Sequence, residues 1–442
     1  MIGKKIGIRD ENKYKMERRV PITPVLAEKL IKDYGIQIDV LHSQKRIFTD
    51  EEYLKAGCNI VNNLDDTPII FGVKEIPVRD LRQNKVYIFF SHVIKGQSYN
   101  MPLLQKMIDF RSTLIDYERI VDENNRRLIF FGRHAGLAGM INTLWSFGIR
   151  LQHLGISNPF EDLQQTYTYS SLKEAEKVLQ KISRDIRKYG LPKELTPLTV
   201  GITGYGNVSN GAQYILDLLP TTEIMPDELL TLSDKKDISN KTIYKVIFKE
   251  EHISKRKDGK KFILQDFFSN PKLFESTFSD YIEHLSVLVN CIYWDNRYDR
   301  LVTKKHLNHL YVEGKNKLKV IGDISCDPNG GIEATHTATE IENPVFVYNP
   351  FKDKYSFGHK GDGILIMAVD ILPSELPRES SLFFSDALFN FIEPIANCDY
   401  NTAFKDIILP DPIKKALILL NGELTPDYQY LNKHLEKLKS SS

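Results

Sequence analysis

Residues 198–216 read LTVGITGYGNVSNGAQYIL. An apolar run, Leu198–Thr203, ends in Gly204-Tyr205-Gly206, and a helical pattern follows through Gly211, Ala212, Ile215 and Leu216. Strand, tight glycine turn and helix, in that order, can set a pyrophosphate on backbone N–H groups at a helix N-terminus. Gly204 permits the turn and Gly206 lets a phosphate approach the backbone. Asn207 and Val208 open the helix, and Ser209 takes the place of the usual third glycine, small enough for close helix–strand packing. A GxG turn is also common in βα units that bind nothing. Both flanks here are of the type that a dinucleotide site needs.

Around this turn, 442 residues leave room for two or three domains, each with its own core. Hydrophobic residues make up 42% and charged residues 26%, ordinary for a globular chain. A net charge of +1 implies neither a nucleic acid nor a membrane surface as partner. The opening MIGKKIGIRDENKYKMERR lacks the apolar core of a secretory signal, and no apolar run approaches membrane length. Cys58, Cys291, Cys326 and Cys398 lie far apart, without CxxC or zinc spacing, so reduced cytoplasmic thiols and no metal are expected. His134, His336 and His359 show no metal-ligand spacing either.

Upstream of the turn, apolar runs at Lys4–Ile8, Ile38–Leu41, Cys58–Val61, Pro68–Val73, Val86–Phe90, Leu114–Ile115 and Leu128–Phe131 alternate with helices such as Val25–Tyr34 and Pro102–Phe110. That pattern predicts a buried, mostly parallel sheet. Ala135–Leu154 reads as one long helix whose small residues permit close packing. Downstream, strands are expected at Ile243–Phe248, Leu285–Ile292 and Leu318–Ile324, with Gly363–Asp370 and the helices beyond Ser380 returning to the first domain. The expected architecture is α/β: two Rossmann-like domains with parallel sheets and an inter-domain cleft. The expected division is 1–131 plus 341–442 for a substrate domain and 132–340 for a dinucleotide domain.

Ligands in open α/β sheets bind beyond the carboxyl ends of the strands. Lys74 follows one such run and His92 the next, with Lys95 three residues further on. A lysine at a strand end is usually just solvated; a lysine and a histidine on consecutive ends suggest proton transfer beside a hydride carrier. Arg18, Arg19, Arg126 and Arg127 offer planar forks for carboxylates, although most arginines are surface residues. Glu118, after the Leu114–Ile115 run, could tune a neighbouring base or be an ordinary exposed loop carboxylate. Asp323 ends an apolar strand before a turn and is expected to face the cofactor crevice. Trp294 reads as packing.

ERRVPITP, GVKEIP, FFSHVIKGQ, RRLIFFGRHAGLAGMINTLW, GITGYGNVSNGAQ, VLVNCIYWDNRY, GDISCDPNGGIE and GILIMAVDILPSELPRESS together resemble the lysine–ketoglutarate reductase family, the saccharopine-forming dehydrogenases, over nearly the whole chain. The lysine-forming saccharopine dehydrogenases and the alanine dehydrogenases have related folds. GVKE is shared with alanine dehydrogenases, whereas the H-x-x-K of His92–Lys95 favours the saccharopine enzymes. The resemblance implies that Lys74 and His92 are the acid–base pair, with Lys95 and Glu118 as charged neighbours that tune it. It implies that Arg19, Arg127 and Phe131 hold the substrate's carboxylates and carbon chain. Gly204, Gly206, Asn207, Val208 and Ser209 would then hold the pyrophosphate, with Asp323 on the nicotinamide side.

The implied substrates are L-lysine and 2-oxoglutarate, and the implied product is saccharopine. Bifunctional members of that family continue into a saccharopine-oxidising domain; this sequence stops before one, so the reductase half-reaction alone is expected. The family mostly uses NADPH, and a 2′-phosphate wants a nearby Arg or Lys. About 20 residues past Gly204, where the ribose contact is usually sought, Thr221–Glu228 is acidic and without a basic residue, which leaves NADH open. Alanine dehydrogenase-like chemistry and a degenerate binding or regulatory homologue are the competing readings. The oligomeric state is open.

Overall fold

Runs of β-branched and aromatic residues build the first sheet. The computed structural model describes residues 4–441. It begins with parallel strands β1 (Lys5–Ile8), β2 (Gln37–Leu41), β3 (Asn59–Val61), β4 (Ile69–Phe71), β5 (Val86–Phe89) and β6 (Thr113–Asp116). β4, β5 and β6 are buried at every position, which is why they read as continuous rather than alternating apolar runs. The helix Pro24–Tyr34 starts on proline and stops at Gly35, whose φ of +64° supplies a left-handed cap. Leu128–Phe131, expected as a strand, is not one; Arg127 makes a single bridge to Val121 and a helix begins at Gly132. The segment is apolar for another reason: Ile129 is buried and Phe131 stacks on Phe384.

The second sheet contains β7 (Thr199–Thr203), β8 (Thr221–Glu223) and β9 (Ile243–Phe248). A small hairpin of β10 (Ser254–Arg256) and β11 (Phe274–Ser276) interrupts it before β12 (Val287–Asn290) and β13 (Val320–Asp323). It closes with β14 (Val345–Asn349), β15 (Lys354–Phe357) and β16 (Ile364–Met367), in the order β15-β14-β16-β13-β12-β7-β9-β8. β8 follows the glycine-turn helix in the chain but pairs only with β9, at the sheet edge. On the β8 side the strand beside β7 is therefore β9, with Thr203 opposite Phe248.

The long helix Gly132–His153 packs on the glycine-turn helix Asn207–Leu216 in backbone contact. A Cβ at Gly136 would stand 1.9 Å from the Val208 carbonyl oxygen, and one at Gly211 2.1 Å from that of Arg133. The small residues of the sequence GRHAGLAG are thus required at this crossing.

The chain divides into two compact units, residues up to Phe131 with Pro377 onward, and Gly132–Leu376. This corrects the expected boundary at 340/341. β16 pairs in parallel with β13, and β14 and β15 extend the same sheet, so Gly363–Asp370 stays with the second unit and does not return to the first. After Pro377 the chain adds β17 (Leu417–Leu420), antiparallel to β6, and β18 (Glu423–Leu424), giving the order β18-β17-β6-β5-β4-β1-β2-β3. The returning helix Pro377–Asn397 offers the Ser381 and Ser385 hydroxyls to the N–H groups of Val20 and Thr23, each at 3.0 Å. It thereby fixes the ERRVPITP segment.

Near the end of the second unit, buried Glu375 accepts from Asn142 Nδ2 at 2.8 Å and from the Tyr167 N–H at 3.2 Å. Burial raises its pKa from 4.5 to about 8, with those bonds opposing the shift. A folded pKa above the unfolded one means stability that is intact below about 4.5 and lost as pH rises through about 8. Unfolding free energy should therefore fall with rising pH across the upper part of that window, and Glu375→Gln should flatten the slope between pH ~7 and ~8.5. Denaturant titrations at several pH values check this; an unchanged slope in the variant would show that other groups set it.

Candidate active site

β4 and β5 end side by side, and the segments that leave them stay paired: the Gly72 N–H donates to the Ile88 carbonyl at 2.9 Å and the Phe90 N–H to Val73 at 3.0 Å. This places Lys74-Glu75 next to Ser91-His92. Glu11, wholly buried after β1, accepts the N–H groups of Val73 at 2.7 Å and Lys74 at 3.0 Å, and so fixes the backbone carrying the lysine. Burial pushes the Glu11 carboxyl up, while neighbouring Arg9 pulls against it.

His92 has a φ of +53°, a left-handed conformation that aims the ring away from the strand direction. Its Nδ1 lies 2.8 Å from Glu75 Oε1, which also takes Lys13 Nζ at 2.7 Å. Burial works to raise the Glu75 pKa, but the bonds and charges of His92 and Lys13 outweigh it and hold the carboxyl at about 2. Glu75 is thus an acceptor at any working pH, and Nδ1 is the ring atom that faces it. The ring stacks over Phe90 at an interplanar angle of 14°.

Behind this pair, Arg19 binds Glu17 through two bonds, Nε–Oε1 at 2.7 Å and Nη2–Oε2 at 2.5 Å. Both residues are buried, at 3% and 0% exposure. Burial works to raise Glu17, yet the charge and bonds of Arg19 and the charge of Lys74 win and hold it low. The Arg19 guanidinium sits 4.2 Å from the centroid of the Phe131 ring, which stacks on Phe384. Lys74 Nζ lies 6.0 Å from the Tyr14 ring centroid.

Glu118 is buried and pairs with the half-exposed Arg127, so it is not the exposed loop carboxylate of the alternative reading. Lys95 is exposed on the turn after His92. The structure brings Lys74, His92, Arg19 and Phe131 into one cluster, places Glu118 and Arg127 beside its Asp116, and leaves Lys95 at the surface.

Sequence reasoning missed Glu75, Lys13, Glu17, Glu11 and Asp116. Asp116 ends β6, is bonded by the Ser91 hydroxyl, and accepts the Glu118 N–H at 2.8 Å. Burial raises it to about 6. Two of the missed residues had a signal: Glu75 and Glu17 lie inside GVKEIP and ERRVPITP. Asp116 ends an apolar strand just as Asp323 does.

In the second unit, Thr203, Asn290 and Asp323 end β7, β12 and β13 in register. Thr203 Oγ1 donates to Asn290 Oδ1 at 2.9 Å, Asn290 Nδ2 to Asp323 Oδ1 at 2.9 Å, and Thr335 Oγ1 to Asp323 Oδ2 at 2.6 Å. Burial raises Asp323 to about 6 against these bonds. With 1% exposure and both oxygens engaged, Asp323 braces the strand ends.

Gly204, at φ +82°, makes the turn, and Gly206 is the N-cap of the helix Asn207–Leu216. No side chain caps this helix, and a Cβ at Gly206 would meet nothing within 4 Å among the described residues. Exposed backbone donors over open space fit the pyrophosphate of a nicotinamide dinucleotide. Beyond the ends of β9 and β12 lies a cavity of about 310 Å³, lined by Glu250, Ile253, Phe267, Phe274, Ile292 and Trp294 among others. Among the described residues, no group of three or more His, Cys, Asp or Glu side chains could hold a metal ion.

Residues 7–138 match the family model of the alanine dehydrogenase/PNT N-terminal domain, and residues 244–427 match that of its C-terminal domain. The alpha-aminoadipic semialdehyde synthase of Arabidopsis thaliana is 39% identical over 96% of this chain, which covers 41% of that protein. The chain therefore spans less than half the length of this relative. The saccharopine dehydrogenase [NAD(+), L-lysine-forming] of Emericella nidulans is 28% identical over 88% of this chain and 91% of its own length. A solved L-alanine dehydrogenase superposes with a TM-score of 0.62 at 17% identity, covering 98% of this chain and 99% of that one, and so shares the fold.

Proposed function

The chain belongs to the alanine dehydrogenase/PNT family, in the group named for saccharopine and aminoadipic semialdehyde chemistry, and we propose that it joins L-lysine to 2-oxoglutarate reductively to form saccharopine. The observation that carries this reading is the pairing of Lys74 with a Glu75-oriented His92 on adjacent strand ends, backed by the buried Arg19. The ε-amine of lysine attacks the 2-oxo carbon. Lys74 takes the proton that the amine sheds and passes it to the 2-oxo oxygen, which gives the carbinolamine; His92 then protonates that hydroxyl, so that water leaves and a protonated imine remains.

Arg127 supplies a fork for a substrate carboxylate. Arg19, whose own fork is held by Glu17, supplies positive charge behind the site, and the Phe131 ring supports the carbon chain. A bound reduced nicotinamide supplies the hydride that completes the reaction. Gly204, Gly206, Asn207, Val208 and Ser209 would hold its pyrophosphate. On this reading the first unit is the substrate domain and the second the dinucleotide domain. NADPH is the proposed cofactor, from the resemblance of the sequence; the name of the lysine-forming relative supports NADH as the alternative. The proposed setting is cytoplasmic, from the sequence; the four cysteines are free thiols, and among the described residues no helix is long and apolar enough to cross a membrane.

A second reading, alanine dehydrogenase-like chemistry on pyruvate and ammonia, is favoured by the family models and the shared fold. Loss of near-ultraviolet absorbance from reduced cofactor separates the two. It should occur with L-lysine plus 2-oxoglutarate and not with pyruvate plus ammonia. The reverse pattern would establish the second reading, and cofactor binding without turnover on either pair would mark a degenerate binding homologue.

A further inference from the structure

In doubly wound sheets the adenosine ribose is read at the end of the strand that pairs with the glycine-turn strand: an acidic residue there takes the 2′-hydroxyl, a basic one a 2′-phosphate. Counting about 20 residues from the turn leads to the acidic stretch Thr221–Glu228. The sheet order removes that stretch from contention. β8 is one strand too far out, and its Glu223 is bound at 3.0 Å by Lys245 Nζ, which also holds Asp217 at 2.9 Å. These carboxylates are neutralised by an internal cation at the sheet edge.

β7 pairs with β12 on one side and with β9 on the other; β9 lies on the β8 side, and the Gly204 N–H donates to the carbonyl of its last residue, Phe248, at 2.8 Å. The next residue is Lys249. Its side chain is exposed, forms no ion pair among the described residues, and stands 5.9 Å from the ring centroid of Tyr205, the middle residue of the glycine turn. Its N–H is anchored on His252 Nδ1 at 3.1 Å, which fixes the backbone at this point.

Resting on the dinucleotide reading above, we infer that Lys249 is the specificity residue that takes the 2′-phosphate of NADPH. Glu250 is the competing reader, because a carboxylate beside the ribose would favour NADH. It is otherwise engaged: it lies against the Tyr205 hydroxyl, whose pKa its charge raises, and it lines the aromatic cavity beyond β9. That cavity offers an apolar wall for the adenine of the same nucleotide half.

The test is equilibrium binding to the full chain, followed by the fluorescence of NADPH and NADH and by competition with 2′-phospho-AMP and AMP. The wild type should prefer NADPH, and 2′-phospho-AMP should compete better than AMP. Lys249→Ala should weaken NADPH by about ten- to hundredfold, the range for a charge-assisted contact, with NADH nearly unchanged. Lys249→Arg should restore most of the preference, and Glu250→Gln should leave the ratio of the two cofactors as it was. Equal preference in wild type and Lys249→Ala, or an NADH preference that Glu250→Gln removes, overturns this assignment and leaves the dinucleotide reading standing. Binding of neither cofactor overturns both.

Discussion

Lys74→Met and His92→Gln should each lower kcat by about 10²–10⁴-fold, the range of a positioned general acid or base. Methionine keeps the stem and volume of Lys74 but carries no proton. Glutamine can still hydrogen-bond Glu75 but cannot titrate near neutrality. The Glu11 bonds to the Val73 and Lys74 N–H groups involve backbone only, so the loop should hold its shape in the first variant. Each variant should lose one limb of the kcat–pH profile. Dinucleotide affinity, read by fluorescence, should barely move, because the proposed pyrophosphate donors lie on the turn at Gly204–Ser209 in the other unit. If the pair acts as a unit, the double variant should be far less impaired than the product of the single effects. Multiplicative losses, or near-normal kcat in either single variant, would reduce Lys74 and His92 to solvated strand-end residues.

Breaking the Glu17–Arg19 pair should cost more stability than any surface substitution. Glu17→Ala leaves a guanidinium buried without its bidentate partner, and such breaks typically cost about 3–5 kcal/mol. An exposed ion pair would cost about 1 kcal/mol or less. Because Glu17 is held below its ordinary pKa, the pair's contribution is present above about 4.5 and declines as pH falls from there. Replacing both residues by methionine should recover much of the stability, since an apolar pair of similar volume escapes the cost of burying charge. It should not recover turnover with lysine and 2-oxoglutarate, for which Arg19 supplies the proposed positive charge behind the site. Urea unfolding and steady-state assays on the three variants check this. A loss below ~1 kcal/mol in Glu17→Ala would mean the pair is effectively solvated.

Local chemistry was legible in the sequence wherever it sets local structure. β9 matches its apolar run residue for residue, the glycine turn has the expected strand and helix flanks, and the small residues of Ala135–Leu154, read as permitting close packing, include Gly136 at a helix crossing in backbone contact. What stayed hidden depends on pairing between segments distant in sequence. The position of β8 outside β9 could not be found by counting residues from Gly204. Nor could the capture of Ile364–Met367 by β13, which moves the boundary to 376. Around His92 the titratable residues stand out in the chain, and Glu75 lies in the same motif as Lys74, but its contacts with His92 and Lys13 do not, because an Nδ1–carboxylate contact leaves no spacing rule behind. Asp323 shows the converse: its strand-end position is readable, whereas its burial beneath Thr335 and Asn290 is not.

The discontinuity of the first unit bears on the order in which the molecule can assemble. β6 has a bare edge until Leu417–Leu420 arrives, a separation of hundreds of residues along the chain. An unfolded loop of that size resists closure, each doubling of length adding about 0.6 kcal/mol. The intervening residues can instead fold first, within themselves. Once they have, the Asn142–Glu375 bond ties the helix by which the chain enters that unit to the segment by which it leaves. The long loop then behaves as a short one. Newly made chains should therefore pass through a state in which the later-encoded sheet is complete while the earlier one still waits, its unpaired β6 edge open to any other strand in reach.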